Sequence, residues 1–224
     1  MKWDLVIFDC DGVLVDSETI SCGAAVEAFA EQGFTIPVEQ YIQEFSGKSR
    51  ASVMASVEET LGERLPAGFS EQLEEKILAA FSRGLKSIRD VDVLINASPS
   101  RCIASGSSFR RILHSLRATR LDKYFDVSQI FSSAMVKRGK PDPELLFYAA
   151  NKMHADPKRC IVIEDSVAGA TAAQRAGMSC FGFVGGQHIV DRSVQKTRLV
   201  ESGAVKVFQD MSSLAEAIKI YQSM

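Results

Sequence analysis

Two aspartates, Asp9 and Asp11, stand directly after the apolar run at residues 4–8, with Gly12 behind them to allow a tight backbone turn. Carboxylates two residues apart at the mouth of a buried strand can leave it on one side. Acids in that position are costly unless they bind a cation or move a proton. A second acid pair, Glu164 and Asp165, follows Ile161-Val162-Ile163 in the same way. In a parallel sheet, strand ends of one kind share an edge, so Asp9, Asp11, Glu164 and Asp165 can converge there. Three or four oxygen donors, with no histidine or thiol in the set, suit Mg²⁺ together with waters and a phosphate.

Two further segments fit the same edge. Ile103-Ala104-Ser105-Gly106-Ser107 ends a run in a hydroxyl and opens a helix, so its hydroxyls and amide N–H groups form a candidate phosphate cradle. Lys140, in Arg138-Gly139-Lys140-Pro141-Asp142-Pro143, can neutralise both an acid and a phosphate oxygen. Each segment taken singly also has a plainer reading. Asp9 to Gly12 reads as an Asx turn, Glu164 and Asp165 as acids at a helix start, the serines as N-caps, and Lys140 as a solvated side chain.

The elements that must position these groups are legible from periodicity. Short runs rich in β-branched residues recur at 4–8, 101–105, 127–131, 160–163, 178–183 and 204–208. Each is too short for a helix and continuous in the manner of strands buried on both faces. Helix-period segments lie between them at 109–116, 144–152, 167–176 and 214–221, the third stopping at Gly177. Alternation of this kind predicts an α/β fold, a Rossmann-like parallel sheet with helices on both faces. Residues 17–84 break the alternation with four helical segments, at 18–32, 38–45, 49–61 and 70–83, and no strand. The expected organisation is a catalytic core of 1–16 and 86–224 with a small all-helical cap, 17–85, inserted after the first strand. The entry and exit of that insert are expected as strands near 12–17 and 84–90. Placed there, the cap would lie over the strand edge where ligands bind and could act as a lid.

Composition narrows the function classes. Lys and Arg total 26 against 28 Asp and Glu, a net charge of −2, which removes the excess positive charge that nucleic-acid or anionic-membrane binding rests on. No apolar run approaches the ~20 residues needed to span a bilayer, and the acidic start at Asp4 does not suit a secretion signal. A cytoplasmic location is expected. The five cysteines are widely spaced with no Cys-x-x-Cys pair, so they are expected to be reduced and buried. His114, His154 and His188 are scattered and are expected in surface or helix roles.

The segments Asp9-Cys-Asp-Gly-Val-Leu-Val-Asp-Ser-Glu18, Ser105-Gly106, Lys140-Pro141 and Glu164-Asp165-Ser166, in this order, resemble the four motifs of the haloacid-dehalogenase-like phosphohydrolases. The likeness is to their β-phosphoglucomutase-like and sugar-phosphate-phosphatase branch, and the helical insert resembles that family's type-1 cap. The resemblance implies that Asp9 is a nucleophile forming an aspartyl phosphate and that Asp11 is the general acid and base. It implies Mg²⁺ held by Asp9, Asp165, the Asp11 carbonyl and, directly or through water, Glu164. Ser105, Gly106 and Lys140 would hold the phosphoryl oxygens. In the cap, Ser46-Gly47-Lys48-Ser49-Arg50 is similar to a segment that reaches the far part of the substrate, with Lys48 and Arg50 suiting an acidic or doubly charged ester.

Two departures are informative. The mutases carry a histidine twelve residues after the nucleophile, where this chain has Ser21, which tilts the expectation from mutase to phosphatase. A Pro-Gly turn common before the second strand is replaced by Arg89-Asp90-Val91. A phospho-acceptor signalling domain, the alternative of a different class, would need neither a 70-residue helical lid nor Asp11. The expected partner is a small phosphate ester, with the protein a monomer or weak homodimer.

Overall fold

The computed structural model describes residues 3–45 and 50–223. The chain divides into two compact units, one of 1–16 with 86–224 and one of 17–85.

The first unit is built on β1 (Leu5–Phe8), β2 (Arg101–Ser105), β3 (Ile130–Ser132), β4 (Cys160–Glu164), β5 (Ser179–Phe183) and β6 (Lys206–Phe208). All pairings are parallel and the order is β3-β2-β1-β4-β5-β6. Strand order therefore reverses around β1 and β4, and in sheets of this order ligands bind outside the carboxyl ends at that switch point. Every residue of β1 and β4 is buried, as expected of strands covered on both faces. On one face Leu5, Ile7 and Val162 join a core with Leu145, Leu146, Ala170 and Ala173. On the other, Phe8 meets Phe125 edge-on with ring centroids 6.1 Å apart. Near that sheet's far side Trp3 packs edge-on against Phe181 at 5.4 Å.

The second unit consists of α1 (Glu18–Ala30), α2 (Val38–Phe45), α3 (Arg50–Leu61) and α4 (Phe69–Gly84). Its core is aromatic: the Phe29 ring lies 5.2 Å from Phe69 and 6.2 Å from both Phe34 and Tyr41. Small residues Ala24, Ala25 and Ala28 on α1 let α4 approach closely with Leu73, Ile77 and Phe81. Ser21 is buried in α1, where its hydroxyl donates to the Glu18 carbonyl at 3.1 Å.

The helices of the first unit follow as α5 (Val91–Asn96), α6 (Phe109–Ala118), α7 (Glu144–Lys152), α8 (Val167–Arg175), α9 (Arg192–Glu201) and α10 (Met211–Ser223). Several expectations need correction. The run at 127–131 is a 3₁₀ turn at Val127–Gln129 followed by β3, because Val127 faces solvent. Only 206–208 of the run at 204–208 is strand. The segments flanking the insert are not strands but isolated bridges, Asp11 to Val15 and Val15 to Ser87, with the Asp16 amide donating to the Lys86 carbonyl at 2.9 Å. Asp90 takes the left-handed conformation at φ 59°, which Asp tolerates better than most residues. All five cysteines are buried thiols outside any disulfide. Among the described residues no helix is long and apolar enough to cross a membrane.

Candidate active site

The β1–β4 ladder runs one step past the end of β1, since the Asp9 amide donates to the Ile163 carbonyl at 3.0 Å. That bond fixes Asp9 beside the end of β4, where Glu164 and Asp165 emerge. Its carboxylate Oδ1 accepts from Lys140 Nζ at 2.7 Å. The same ammonium also bonds Glu164 Oε1. Lys140 is held in reach by its loop: the amides of Lys137 and Arg138 both donate to the Glu144 carboxylate, at 3.1 Å each, at the start of α7.

Glu164 is completely buried and its second oxygen accepts from the Ser166 amide at 3.1 Å and hydroxyl at 2.8 Å. The Ser166 hydroxyl in turn caps α8, accepting from the Gly169 amide at 3.0 Å. Gly169 is required here, because a Cβ at that position would sit 1.9 Å from the Glu164 carboxyl carbon. Asp165 is also buried, with Oδ2 at 3.1 Å from His188 Nε2 and its carbonyl accepting from Gln195 Nε2 at 2.7 Å. Asp9, Glu164 and Asp165 each offer an oxygen, all within 4.8 Å of one another.

The electrostatics of this cluster are unbalanced. Burial pushes the Asp9 carboxyl well above the usual range; Lys140 pulls it down, while Glu164, Asp165 and Asp11 push it further up. Burial also raises Asp165, against the hydrogen bond from His188. Burial disfavours the Lys140 ammonium, but the Asp9 and Glu164 carboxylates overcome it and hold its pKa above the ordinary lysine range. One ammonium faces a surplus of buried acids, all of them hard oxygen donors. A small divalent cation fits that donor set, since it would remove the like-charge repulsion that desolvation aggravates.

Gly12 keeps the cluster open. It has φ +79°, and a Cβ there would fall 1.9 Å from Asp165 Oδ2. Gly12→Ala is therefore expected to lose ~1–2 kcal/mol from the backbone alone, with the collision adding to it. In a thermal melt this should lower Tm by roughly 4 °C or more; an unchanged Tm would contradict the close approach.

Asp11 points elsewhere. Its Oδ2 accepts from the Ser107 hydroxyl at 2.5 Å and its Oδ1 from Arg111 Nη2 at 3.1 Å. The serines divide their tasks: Ser108 is the N-cap of α6, accepting from the Arg111 amide, which leaves Ser107 to reach Asp11. Ser105, buried at the end of β2, accepts from the Ser107 amide at 3.1 Å, so its proton is available to donate. The loop is braced from the end of β3 by Ser132 and Ser133, whose hydroxyls donate to the Ser107 and Gly106 carbonyls at 2.6 and 2.8 Å.

Asp9, Lys140, Glu164 and Asp165 thus form one cluster, and Asp11 meets the loop of Ser105 and Gly106 through Ser107. Arg50 lies in the helical unit, where Nη1 bonds Glu74 Oε2 at 2.6 Å. Lys48 lies outside the described residues. Sequence reasoning missed Arg111, and it put His188 in a surface or helix role where the structure sets it, half-buried, in a loop against Asp165. The available signal was position: His188 follows β5 and Gly185-Gly186, one more loop on the carboxyl edge.

The comparisons with known proteins agree with this geometry. Residues 6–183 match the family model described as haloacid dehalogenase-like hydrolase. The chain is 33% identical over 187 residues to 6-phosphogluconate phosphatase of Escherichia coli (strain K12), spanning 83% of this chain and 84% of that protein. A conserved haloacid dehalogenase-like protein of unknown function from Agrobacterium tumefaciens superposes with a TM-score of 0.83 at 33% identity, covering 97% of this chain and 98% of that one. A HAD family hydrolase from Deinococcus radiodurans R1, solved with bound phosphate and sodium, gives a TM-score of 0.77 at 30% identity over 98% of this chain and 96% of its own. This chain belongs to the haloacid dehalogenase-like hydrolase family, and is an enzyme of it.

Proposed function

We propose that the protein is a Mg²⁺-dependent phosphatase that hydrolyses a small phosphorylated sugar or sugar acid through an aspartyl phosphate on Asp9. The observation that carries this reading is the buried Lys140 ammonium shared between Asp9 and Glu164 beside Asp165. Lys140 fixes the Asp9 carboxylate by one oxygen and supplies positive charge where phosphoryl oxygens must come. In the first step Asp9 forms a bond to phosphorus, the ester P–O bond breaks, and Asp11 gives its proton to the leaving oxygen. In the second step water attacks phosphorus, Asp11 takes the water's proton, and the Asp9 oxygen leaves with its electron pair, restoring the carboxylate. Ser107 and Arg111 hold the Asp11 carboxylate. Ser105 and the amides of the Gly106 loop hold phosphoryl oxygens.

Asp9, Asp165 and the Asp11 carbonyl would hold the metal, with Glu164, whose oxygens already bond Lys140 and Ser166, linked through water. When bound, Mg²⁺ supplies Lewis-acid neutralisation of the phosphoryl charge. The substrate class rests on the E. coli relative's name and on Lys48 and Arg50 as candidate contacts for an acidic tail. Ser21, buried and bonded to its own helix, offers no imidazole, which supports hydrolysis over mutase chemistry. The enzyme would act in the cytoplasm as a monomer or weak homodimer.

Phosphate release should be measured across sugar phosphates, phosphogluconate, phosphoglycolate and nucleotides, with Mg²⁺ and with chelator. The expected result is release from sugar or sugar-acid esters that chelator abolishes and Mg²⁺ restores. No release from any ester by folded, Mg²⁺-loaded protein would sink the reading, and conversion of one sugar phosphate into its isomer would replace it with the mutase.

A further inference from the structure

The contact between half-buried His188 and buried Asp165 has no part in the mechanism above, yet it is built from three separate segments. His188 lies in the loop after β5, and its side chain is 11% exposed against 6% for Asp165. The imidazole occupies a slot that two glycines leave open. A Cβ on Gly186 would lie 2.7 Å from His188 Cε1, and a Cβ on Gly12 would lie 3.1 Å from the same atom. The loop is tied back to the β1 loop, where the Gln187 amide donates to Asp16 Oδ1 at 3.3 Å. On the other side, Gln195 of α9 holds the Asp165 carbonyl. Asp165 is therefore gripped at its backbone by Gln195 and at one carboxylate oxygen, Oδ2, by His188.

We infer that His188 is a positioning residue for the divalent-cation site, fixing the Asp165 carboxylate by Oδ2 so that its other oxygen is presented to the metal. The inference rests on the metal site assigned under the proposed function. A carboxylate free to rotate must be immobilised when the ion arrives, whereas one already clamped does not lose that freedom on binding. Partners of this kind behind a metal ligand typically set affinity within a range of ~10–100-fold. His188 touches neither the ester nor the phosphorus in this role, so its effect should fall on metal affinity and not on the chemical step.

The test is direct titration of metal-free protein with Mg²⁺ and Mn²⁺ by calorimetry, together with the Mg²⁺ dependence of phosphate release and a thermal melt. Wild type, His188→Ala, His188→Gln and Asp165→Asn are compared. His188→Ala is expected to weaken metal binding about 10–100-fold and to raise the Mg²⁺ concentration for half-maximal activity by the same factor, with kcat at saturating Mg²⁺ nearly recovered. His188→Gln, which places an N–H donor at similar reach, should recover most of the affinity. A merely structural role would lower Tm but leave the affinity of the folded protein unchanged. Wild-type affinity in His188→Ala, or in His188→Gln and His188→Ala alike, overturns the inference while leaving the metal site standing. Should His188→Ala not fold, His188→Leu, which fills the slot without an N–H donor, takes its place: metal binding about 10-fold or more weaker than in His188→Gln upholds the inference, and equal affinity in the two overturns it. Wild-type protein that binds neither ion overturns the metal assignment itself.

Discussion

Asp9→Asn is expected to lower phosphate release by about four orders of magnitude or more while leaving the protein folded. Loss of a nucleophile removes the covalent route entirely, and what remains is the residual assistance of binding and charge. The amide matches the carboxylate in shape, so the packing at the end of β1 is preserved. Burial already disfavours the Asp9 anion, so replacing it with a neutral group gives up little stability, and Lys140 keeps Glu164 as a partner. The expected result is a Tm within a few degrees of wild type, no phospho-adduct in intact-mass spectra, and release at the background level. Substantial turnover by a folded Asp9→Asn protein would move the nucleophile to another group or to water.

Lys140→Met should be damaging in two separable ways. The ammonium is buried between Asp9 and Glu164, and both carboxylates would be left facing each other without it. Removing one partner of a buried ionic cluster costs about 3–5 kcal/mol, which for a chain of this size is a drop in Tm of roughly 6–20 °C. Activity should fall by about 10³-fold, the scale of losing one electrostatic stabiliser of the transition state.

The stability loss should also depend on pH. Asp9 has a folded pKa raised above its unfolded value, so the folded state binds more protons and stability falls as pH rises through that interval. Removing Lys140 raises the folded pKa further. The deficit against wild type should therefore be largest near neutral pH and shrink toward about pH 4, where Asp9 is protonated in the folded state with or without Lys140. Thermal melts across pH 4–8 check this, and a deficit that is flat with pH would mean that Lys140 contributes only packing.

What could be read in the sequence follows from where each signal is written. β1 and β4 are continuous apolar runs because they are covered on both faces, so their positions and the acids at their ends were legible together. Gly177 has φ +68° just past α8, as a helix-ending glycine should. α9 went unplaced because its only buried residue is Leu199, so it carries no apolar stripe to detect. α5, six residues long, is too short to show a period. β3 was set early because Val127 looks like a strand residue but is exposed in a turn.

At the site the division is similar. Asp9, Lys140, Glu164 and Asp165 are each announced by a strand end. Arg111 reaches Asp11 only because Ser108 and not Ser107 caps α6, and a choice between adjacent serines is made by tertiary packing. His188 sits in a loop whose path depends on two glycines 174 positions apart, Gly12 and Gly186.

The register of the sheet has a consequence for how this chain is made. β1 pairs with β2 on one side, Val6 opposite Arg101, and with β4 on the other, Leu5 opposite Cys160. The second pairing spans 155 positions (160 minus 5). At a synthesis rate of about 5–20 residues per second, that interval lasts roughly 8–30 s. Through it the apolar β1 is out of the ribosome with one edge unmatched, a template for wrong strands. The helical unit at 17–85 carries local contacts of its own and can form during the wait. The catalytic cluster cannot, because Asp9 and Glu164 meet only when β4 docks. Newly made protein should therefore gain its helical content before its activity, and the nascent chain up to the end of β3 is the stage at which a chaperone has most to cover.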